Sequence, residues 1–293
     1  MKYTTRAATM NDVPRLREIE MAAMPHSKWY STECAPLFIE QKGQKGEMIV
    51  AELPDLPAGD PNKTIGMGQY SVMPDGSGWL ECLRILPEYQ RTGAGRQIYE
   101  RYQQLWIETD APHVAMFTGR KNVASKALSE VYGFEYTGAY DEYSLPLEGL
   151  DGKCPEGFER VTDPEMVAKA LDARENIGDH IVFNRTYLHY IEPIYRWLIE
   201  KGMVWSDGRN LLVLGARMLE ERGWYLAFWQ GDLDTCLDFA IAKTKEAGLP
   251  ALTVNFPPER EDLAEYFEGK GFHYVYSNIV MELDRRKDRR LNP

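Results

Sequence analysis

The sequence is poor in nearly every feature that would mark a metalloprotein, a secreted protein, a membrane protein or a nucleic-acid binder. Its four cysteines, Cys34, Cys82, Cys154 and Cys236, form no Cys-x-x-Cys pair, and its five histidines are equally scattered. Metal-ligand spacing is absent, so reduced thiols and no metal are expected. The longest apolar runs, such as Leu211 to Leu214, are far too short to cross a bilayer, so no membrane partner is expected. Met1 to Arg6 leads into no apolar core of signal-peptide length, and a cytoplasmic protein is expected. Positive charge is also in deficit: 34 Lys and Arg against 45 Asp and Glu give a formal net charge of −11. Binding nucleic acid requires a basic surface to neutralise phosphates, so that class of partner is set aside. The acidity aids solubility and is compatible with a cationic small substrate.

At 293 residues the chain exceeds one typical domain, and two domains are expected. With 44% hydrophobic and 27% charged residues its composition is that of an ordinary soluble protein. The first half alternates strand and helix signals. Tyr3 to Ala8 reads as a short strand, and Asn11-Asp12 caps a helix with Val13, Leu16, Ile19 and Ala23 on one face. Met48 to Leu53 and Ile65 to Val72 read as a hairpin around the turn-rich Pro54 to Asn62. Trp79 to Leu86 is a central strand, and a helix from Gly93 places Ile98, Tyr102 and Leu105 on one side. Val114 to Thr118 is another buried strand.

Between that central strand and that helix lies Gln90-Arg91-Thr92-Gly93-Ala94-Gly95, introduced by a turn at Pro87. Strand, glycine-spaced loop and helix in this order make an anion cradle. Gly93 and Gly95 remove side chains where backbone N–H groups must close on a ligand, and the helix start adds unpaired N–H groups and a positive dipole end. A Walker loop needs Gly-x-x-x-x-Gly-Lys, and a dinucleotide fingerprint needs a third glycine after Gly-x-Gly. Gly93-Ala94-Gly95-Arg96-Gln97-Ile98 supplies neither.

What remains resembles Gln/Arg-x-x-Gly-x-Gly/Ala, the acyl-CoA pyrophosphate loop of the GNAT superfamily of N-acetyltransferases, with Leu83 to Tyr89 matching the strand and turn that lead into it. A second stretch, Asn122 to Phe134, resembles another landmark of that family, Asn-x-x-Ala-x-x-Leu-Tyr-x-x-x-Gly-Phe. Asn122, Gly133 and Phe134 fall in register, and Ser129 stands where the family has its tyrosine. The resemblance covers residues 1 to about 146. It implies an α/β fold with a mixed β-sheet flanked by helices, acetyl-CoA as co-substrate, and direct transfer of an acetyl group to the primary amine of a small acceptor. On this likeness the backbone of Leu83, Arg84 and Ile85 meets the pantetheine arm. Gln90, Arg91, Thr92, Gly93, Ala94, Gly95 and Arg96 hold the pyrophosphate, and the Asn122 amide binds pantetheine or substrate. Asn122 is also a good helix N-cap.

A turn-rich stretch, Gly149 to Gly157, reads as a linker between a first domain, residues 1–148, and a second, residues 158–293. Gly271-Phe272-His273-Tyr274 echoes Gly133-Phe134-Glu135-Tyr136, with a strand at Trp224 to Trp229 and a helix carrying Leu237, Ala240, Ile241 and Thr244 before it. The second domain therefore reads as a diverged copy of the first. Its counterpart of the loop is Gln230-Gly231-Asp232-Leu233-Asp234-Thr235, where two carboxylates would repel a pyrophosphate. One acyl-CoA site per chain is expected.

Acetyl transfer needs a neutral amine and a proton for the departing thiolate. Glu81 is the expected base, since an ammonium with a pKa of about 10.4 is mostly protonated at neutral pH. Alternation places Trp79, Glu81, Leu83 and Ile85 on one face of the strand, which makes Glu81 a carboxylate on an otherwise apolar surface. A buried structural carboxylate is the competing reading. For the acid, Ser129 acting through a water, Tyr132 one turn on, or solvent all stay open. His26, Trp29, Tyr30 and Glu33 are expected to wall the acceptor site, as the resemblance implies. Two further readings compete: an acyltransferase with a different acyl donor, and a non-catalytic acyl-CoA sensor or scaffold. A homo-oligomer is left open.

Overall fold

A computed structural model of the chain describes residues 3–25, 30–40, 46–150, 154–174 and 177–285. His26, Trp29 and the linker residues Asp151 to Lys153 lie outside the described residues. The chain forms two compact units: residues 1–116, 124–135 and 282–293 make one, and residues 117–123 and 136–281 the other.

In chain order the elements from the first half are β1 (Thr4–Ala7), α1 (Val13–Ala23), α2 (Ser31–Glu40), β2 (Gly46–Glu52), β3 (Thr64–Val72), β4 (Gly78–Ile85), α3 (Ala94–Thr109), β5 (His113–Gly119) and α4 (Val123–Val131). Strands β1 to β5 lie in the order β1-β2-β3-β4-β5, antiparallel except for the parallel β4–β5 pair. The start of α1 differs from expectation. Thr9 opens the turn, and its N–H and Oγ1 donate to Asp12 at 2.7 and 2.9 Å. Asp12 also receives both terminal nitrogens of Arg6, at 2.8 and 2.9 Å, so its carboxylate joins β1 to the helix and caps no N–H of α1. Helix α3 buries Ile98, Tyr102 and Leu105 as their spacing predicts, with Tyr99 and Trp106 added. The indole of Trp106 donates to the Ala111 carbonyl at 2.8 Å and closes the turn into β5.

The β3–β4 ladder carries the irregularity that shapes the site. Met67 pairs with Arg84 and Gln69 with Glu81, so Gly68 alone stands opposite Cys82 and Leu83. This is a β-bulge, with Cys82 at φ 60, a left-handed conformation that a non-glycine residue adopts only under constraint. An extra residue flips the faces that follow it. Trp79 and Glu81 pair with Ser71 and Gln69 and share their face, whereas Ile85 points at Gly66, on the face that Gly68 turns to α3. The expectation that Trp79, Glu81, Leu83 and Ile85 share one face is corrected accordingly.

The second unit contains β6 (Glu135–Pro146), β7 (Glu159–Arg160), α5 (Pro164–Asp172), β8 (His180–Phe183), β9 (Thr186–His189), α6 (Glu192–Glu200), β10 (Val204–Ser206), β11 (Leu211–Gly215), β12 (Trp224–Gln230), α7 (Leu233–Glu246), β13 (Ala251–Phe256), α8 (Glu261–Gly269) and most of β14 (His273–Asp284). Its sheet runs β14-β6-β13-β12-β11-β10-β7, and β12–β13 is parallel. Strand β6, from the first half of the sequence, pairs antiparallel with β13 over Asp141–Pro146, and the first unit in turn takes in the segment from Glu282. That segment is tied down by the Arg285 N–H, which donates to the Pro112 carbonyl at 3.1 Å. The core of the second unit is rich in aromatics: Phe256 stacks on Tyr143 at 5.1 Å and on Phe267 at 5.7 Å, and Phe267 meets Trp229 and Phe272 edge-on. Such pairs add about 0.5–1.5 kcal/mol each beyond the area they bury.

Candidate functional site

The glycine-spaced loop is exposed from Gln90 to Gly93. The Gln90 side chain donates to the Ile85 carbonyl at 3.1 Å and ties the loop back to the end of β4. The Thr92 hydroxyl donates to the Tyr89 carbonyl at 2.6 Å and accepts from the Tyr3 hydroxyl at 2.7 Å. Arg91 and Gly93 both take left-handed φ, 61 and 103, which turns the chain sharply into α3. Gly93 is the N-cap of α3, and no side chain caps that end. The first N–H groups of the helix, at its positive dipole end, thus have no side-chain cap. The two glycines differ in their reasons. Gly93 is required by its φ. At Gly95 an added Cβ would meet Leu128 and Ile85 at ordinary distances of 3.7 and 3.9 Å, so packing alone does not demand a glycine there.

Upstream of the loop the parallel register of β4 with β5 ends at Leu80 and Met116, although β4 continues to Ile85. Glu81 is the first residue past that point. It is 5% exposed, and its Oε1 accepts the Ser71 hydroxyl at 2.7 Å. Glu81 is therefore a buried carboxylate among polar neighbours, which corrects the expected apolar surroundings. At the bulge the Cys82 thiol donates to the Tyr30 hydroxyl at 3.5 Å. Burial first, then the Glu81 charge, pushes the Cys82 thiol up to about 12, against the opposing pull of Arg84. Burial likewise raises the Tyr30 phenol well above its ordinary value, with Cys82 and Glu81 adding to it. Both groups keep their protons at neutral pH. A second buried carboxylate, Glu20 of α1, accepts the Ser31 hydroxyl at 2.5 Å and the Ser31 N–H at 3.1 Å. Two buried carboxylates, Glu81 on β4 and Glu20 on α1, thus each accept a serine hydroxyl. Of the expected acceptor wall, Tyr30 reaches the bulge and Glu33 is exposed.

The two hydroxyls expected as acids are engaged elsewhere. Ser129, fully buried on α4, donates to the Lys126 carbonyl one turn back at 2.8 Å. Tyr132 stacks on Tyr99 at 4.7 Å and donates to the Arg96 carbonyl at 3.2 Å, which braces the first turn of α3 behind the loop. Tyr132→Phe is expected to destabilise the fold by about 1 kcal/mol in urea unfolding and to leave turnover within a few-fold, as the loss of one packing hydrogen bond would. A fall of several orders of magnitude in thiol release would instead make Tyr132 the acid. Asn122 belongs to the other compact unit. It is exposed, between β5 and α4, with its N–H donating to the Gly119 carbonyl at 2.8 Å.

The second unit repeats the strand-to-helix passage without the cradle. The parallel pairing of β12 with β13 covers only Trp224 to Leu226, as β4–β5 pairing covers only three residues, and α7 follows β12 directly. The Asp232 carboxylate accepts the Thr235 N–H at 2.9 Å and its hydroxyl at 2.5 Å. The helix end that would meet a pyrophosphate is already occupied by a side-chain anion. Gly231 is pressed against Asn210, whose Oδ1 accepts the Asp232 N–H at 2.7 Å. Asp232→Ala is expected to lower stability by about 1 kcal/mol, the usual effect of removing an N-cap, measurable by urea unfolding. Asp234 is drawn away by Lys270 and Tyr266, which hold its carboxyl below the usual range.

Residues 13–134 match the sequence profile of the acetyltransferase (GNAT) family. Over the whole chain the fold is that of GNAT proteins built as a tandem pair. A tandem GNAT protein from the clavulanic acid biosynthesis pathway superposes with a TM-score of 0.58 at 10% identity, over 97% of this chain and 98% of that one. A GCN5-related N-acetyltransferase from Sphaerobacter thermophilus gives 0.60 at 13% identity, over 96% and 95%. A putative acetyltransferase from Pyrococcus horikoshii gives 0.58 at 16% identity, over 96% and 89%. No curated protein matches the chain in sequence. Among the described residues no helix is long and apolar enough to cross a membrane.

Proposed function

We propose that the chain is an acetyl-CoA-dependent N-acetyltransferase that acetylates the primary amine of a small cationic acceptor, with one active site, in the first half. The observation that carries this reading is the arrangement along β4: an exposed anion cradle after the strand's end and, where its pairing with β5 stops, a buried carboxylate. In this reading the N–H groups of Thr92 to Arg96 hold the pyrophosphate, with Arg91 and Arg96 at hand for its charge. The backbone of Leu83 to Ile85 lies along the pantetheine arm. A backbone N–H near the bulge polarises the thioester carbonyl as an oxyanion donor does.

Glu81 takes a proton from the acceptor ammonium, directly or through one water. The freed nitrogen lone pair attacks the thioester carbon, the C–S bond breaks as the nitrogen gives up its second proton, and the thiolate takes up a proton to leave as free CoA. The family's tyrosine acid falls at Ser129, so Ser129 acting through a water, Tyr132 and solvent are the alternative sources of that proton. Tyr30, protonated and at the bulge, is a third hydroxyl able to supply that proton. The two buried carboxylates, Glu81 and Glu20, and the formal net charge of −11 favour a cationic acceptor over an anionic one. The second domain, residues 158–293 after a linker at 149–157, is a copy that binds no acyl-CoA, and Asn122 contributes its amide to the pantetheine or the acceptor. We place the protein in the cytoplasm.

The test is thiol release from acetyl-CoA with a panel of amines. Release that depends on the amine supports transfer. The engagement of Ser129 and Tyr132 with backbone carbonyls favours one second reading, a non-catalytic acyl-CoA sensor, and tight CoA binding without release on any amine would support that instead.

A further inference from the structure

We propose that Gln69 and Ser71 are positioning residues that fix the orientation of the Glu81 carboxylate and set its proton affinity. The inference rests on the reading of Glu81 as the base. On β3 and β4 Gln69 lies opposite Glu81 and Ser71 opposite Trp79, so all four side chains share one face. The Ser71 hydroxyl has a single proton, and it goes to Glu81 Oε1 at 2.7 Å. Its oxygen in turn accepts from Gln69 Nε2 at 3.1 Å, and Nε2 also donates to the Tyr70 carbonyl at 2.8 Å. Both amide hydrogens are thus assigned, which fixes the orientation of the Gln69 amide. Its Oε1 is left buried without a hydrogen-bond partner, in a side chain with no exposure at all. Packing alone would be served better at this position by leucine or methionine, which leave no orphaned acceptor. The relay accounts for the glutamine: it holds the Ser71 oxygen as an acceptor and so points the serine proton at Glu81.

Other ionisable groups among the described residues lie near this carboxylate. Tyr30 approaches from the segment before α2, Cys82 and Arg84 from β4 itself, and Tyr102 from α3, with its hydroxyl 3.4 Å from the Glu81 carbonyl. Glu20 of α1 is held by Ser31. The β5 residues paired with β4, Val114, Ala115 and Met116, carry no ionisable side chain. Tyr30, Cys82 and Tyr102 stay neutral across the working range. The acidic limb of the pH profile is therefore expected to report Glu81, and a hydrogen bond donated to its ionised form sets where that limb falls.

The experiment is kcat/KM against pH by thiol release with an amine that the enzyme accepts. Ser71→Ala removes the donor, raises the proton affinity of Glu81 and should move the acidic limb up by about one pH unit. Ser71→Thr, which keeps the hydroxyl, should restore it. Gln69→Leu should shift the limb in the same direction, and combining it with Ser71→Ala should add little, because both act through one hydrogen bond. If Ser71→Ala does not fold, Ser71→Cys, similar in shape and a weak donor, is expected to give the same upward shift. Rates lowered equally at every pH with the limb unmoved would reduce the pair to a structural role and overturn the relay. Glu81→Gln separates the two levels. If it leaves the limb in place, the base assignment falls and the relay with it. If it abolishes the limb while Ser71→Ala does not shift it, only the relay falls.

Discussion

Gly93→Asp is expected to abolish measurable coenzyme A binding while leaving the protein folded. Two effects add. Gly93 sits at φ 103, where a side chain brings strain of about 1–3 kcal/mol. The new carboxylate also lies at the helix end that would meet the pyrophosphate, and two unit charges 4 Å apart repel by about 4 kcal/mol at an effective dielectric near 20. A loss of affinity on the order of a thousandfold is the expected result by isothermal titration, at about 1.4 kcal/mol per tenfold. Nothing lies within 4 Å of the position an added Cβ would take, so the fold itself tolerates the group. Gly93→Ala is the control: it carries the strain without the charge and should weaken binding far less. Equal losses in the two variants would assign the effect to backbone geometry and remove the anion from the argument.

Glu81→Gln is expected to lower kcat/KM about a hundredfold or more at neutral pH, the range that general bases contribute. The deficit should shrink as the pH rises, because an alkylamine with a pKa near 10.4 then loses its proton unaided. The profile of the variant therefore lies at higher pH than that of the parent. Glutamine keeps an oxygen for the Ser71 hydroxyl, so a collapse of the fold is not expected to confuse the result. An unchanged rate across the profile would return Glu81 to the role of a buried structural carboxylate.

The features legible in the sequence were those with a local cause. The loop could be read because a turn into a helix writes itself in adjacent residues, and α3 because Ile98, Tyr102 and Leu105 repeat at helical spacing. Face assignments beyond Cys82 could not be read, since one inserted residue in a ladder leaves no periodic mark and reverses everything after it. The same insertion concealed Gln69 and Ser71, whose relation to Glu81 depends on cross-strand register. Helix α2 escaped notice because Pro36 lies inside it, where a proline usually argues against a helix. The pairing of β6 with β13 joins residues more than 100 positions apart in sequence, such as Asp141 with Phe256, and no local pattern announces it. The diverged loop of the second half was legible for a chemical reason: Asp232 and Asp234 contradict an anion site whatever the fold, and the structure adds that Asp232 fills the helix end itself.

A single acyl-CoA site is expected in a chain whose fold is that of a tandem GNAT protein. Isothermal titration of the intact protein with coenzyme A tests it most directly. One molecule bound per chain, with binding lost in Gly93→Asp and kept in Asp232→Ala, is the predicted result. Two molecules per chain, or binding that survives Gly93→Asp, would contradict it.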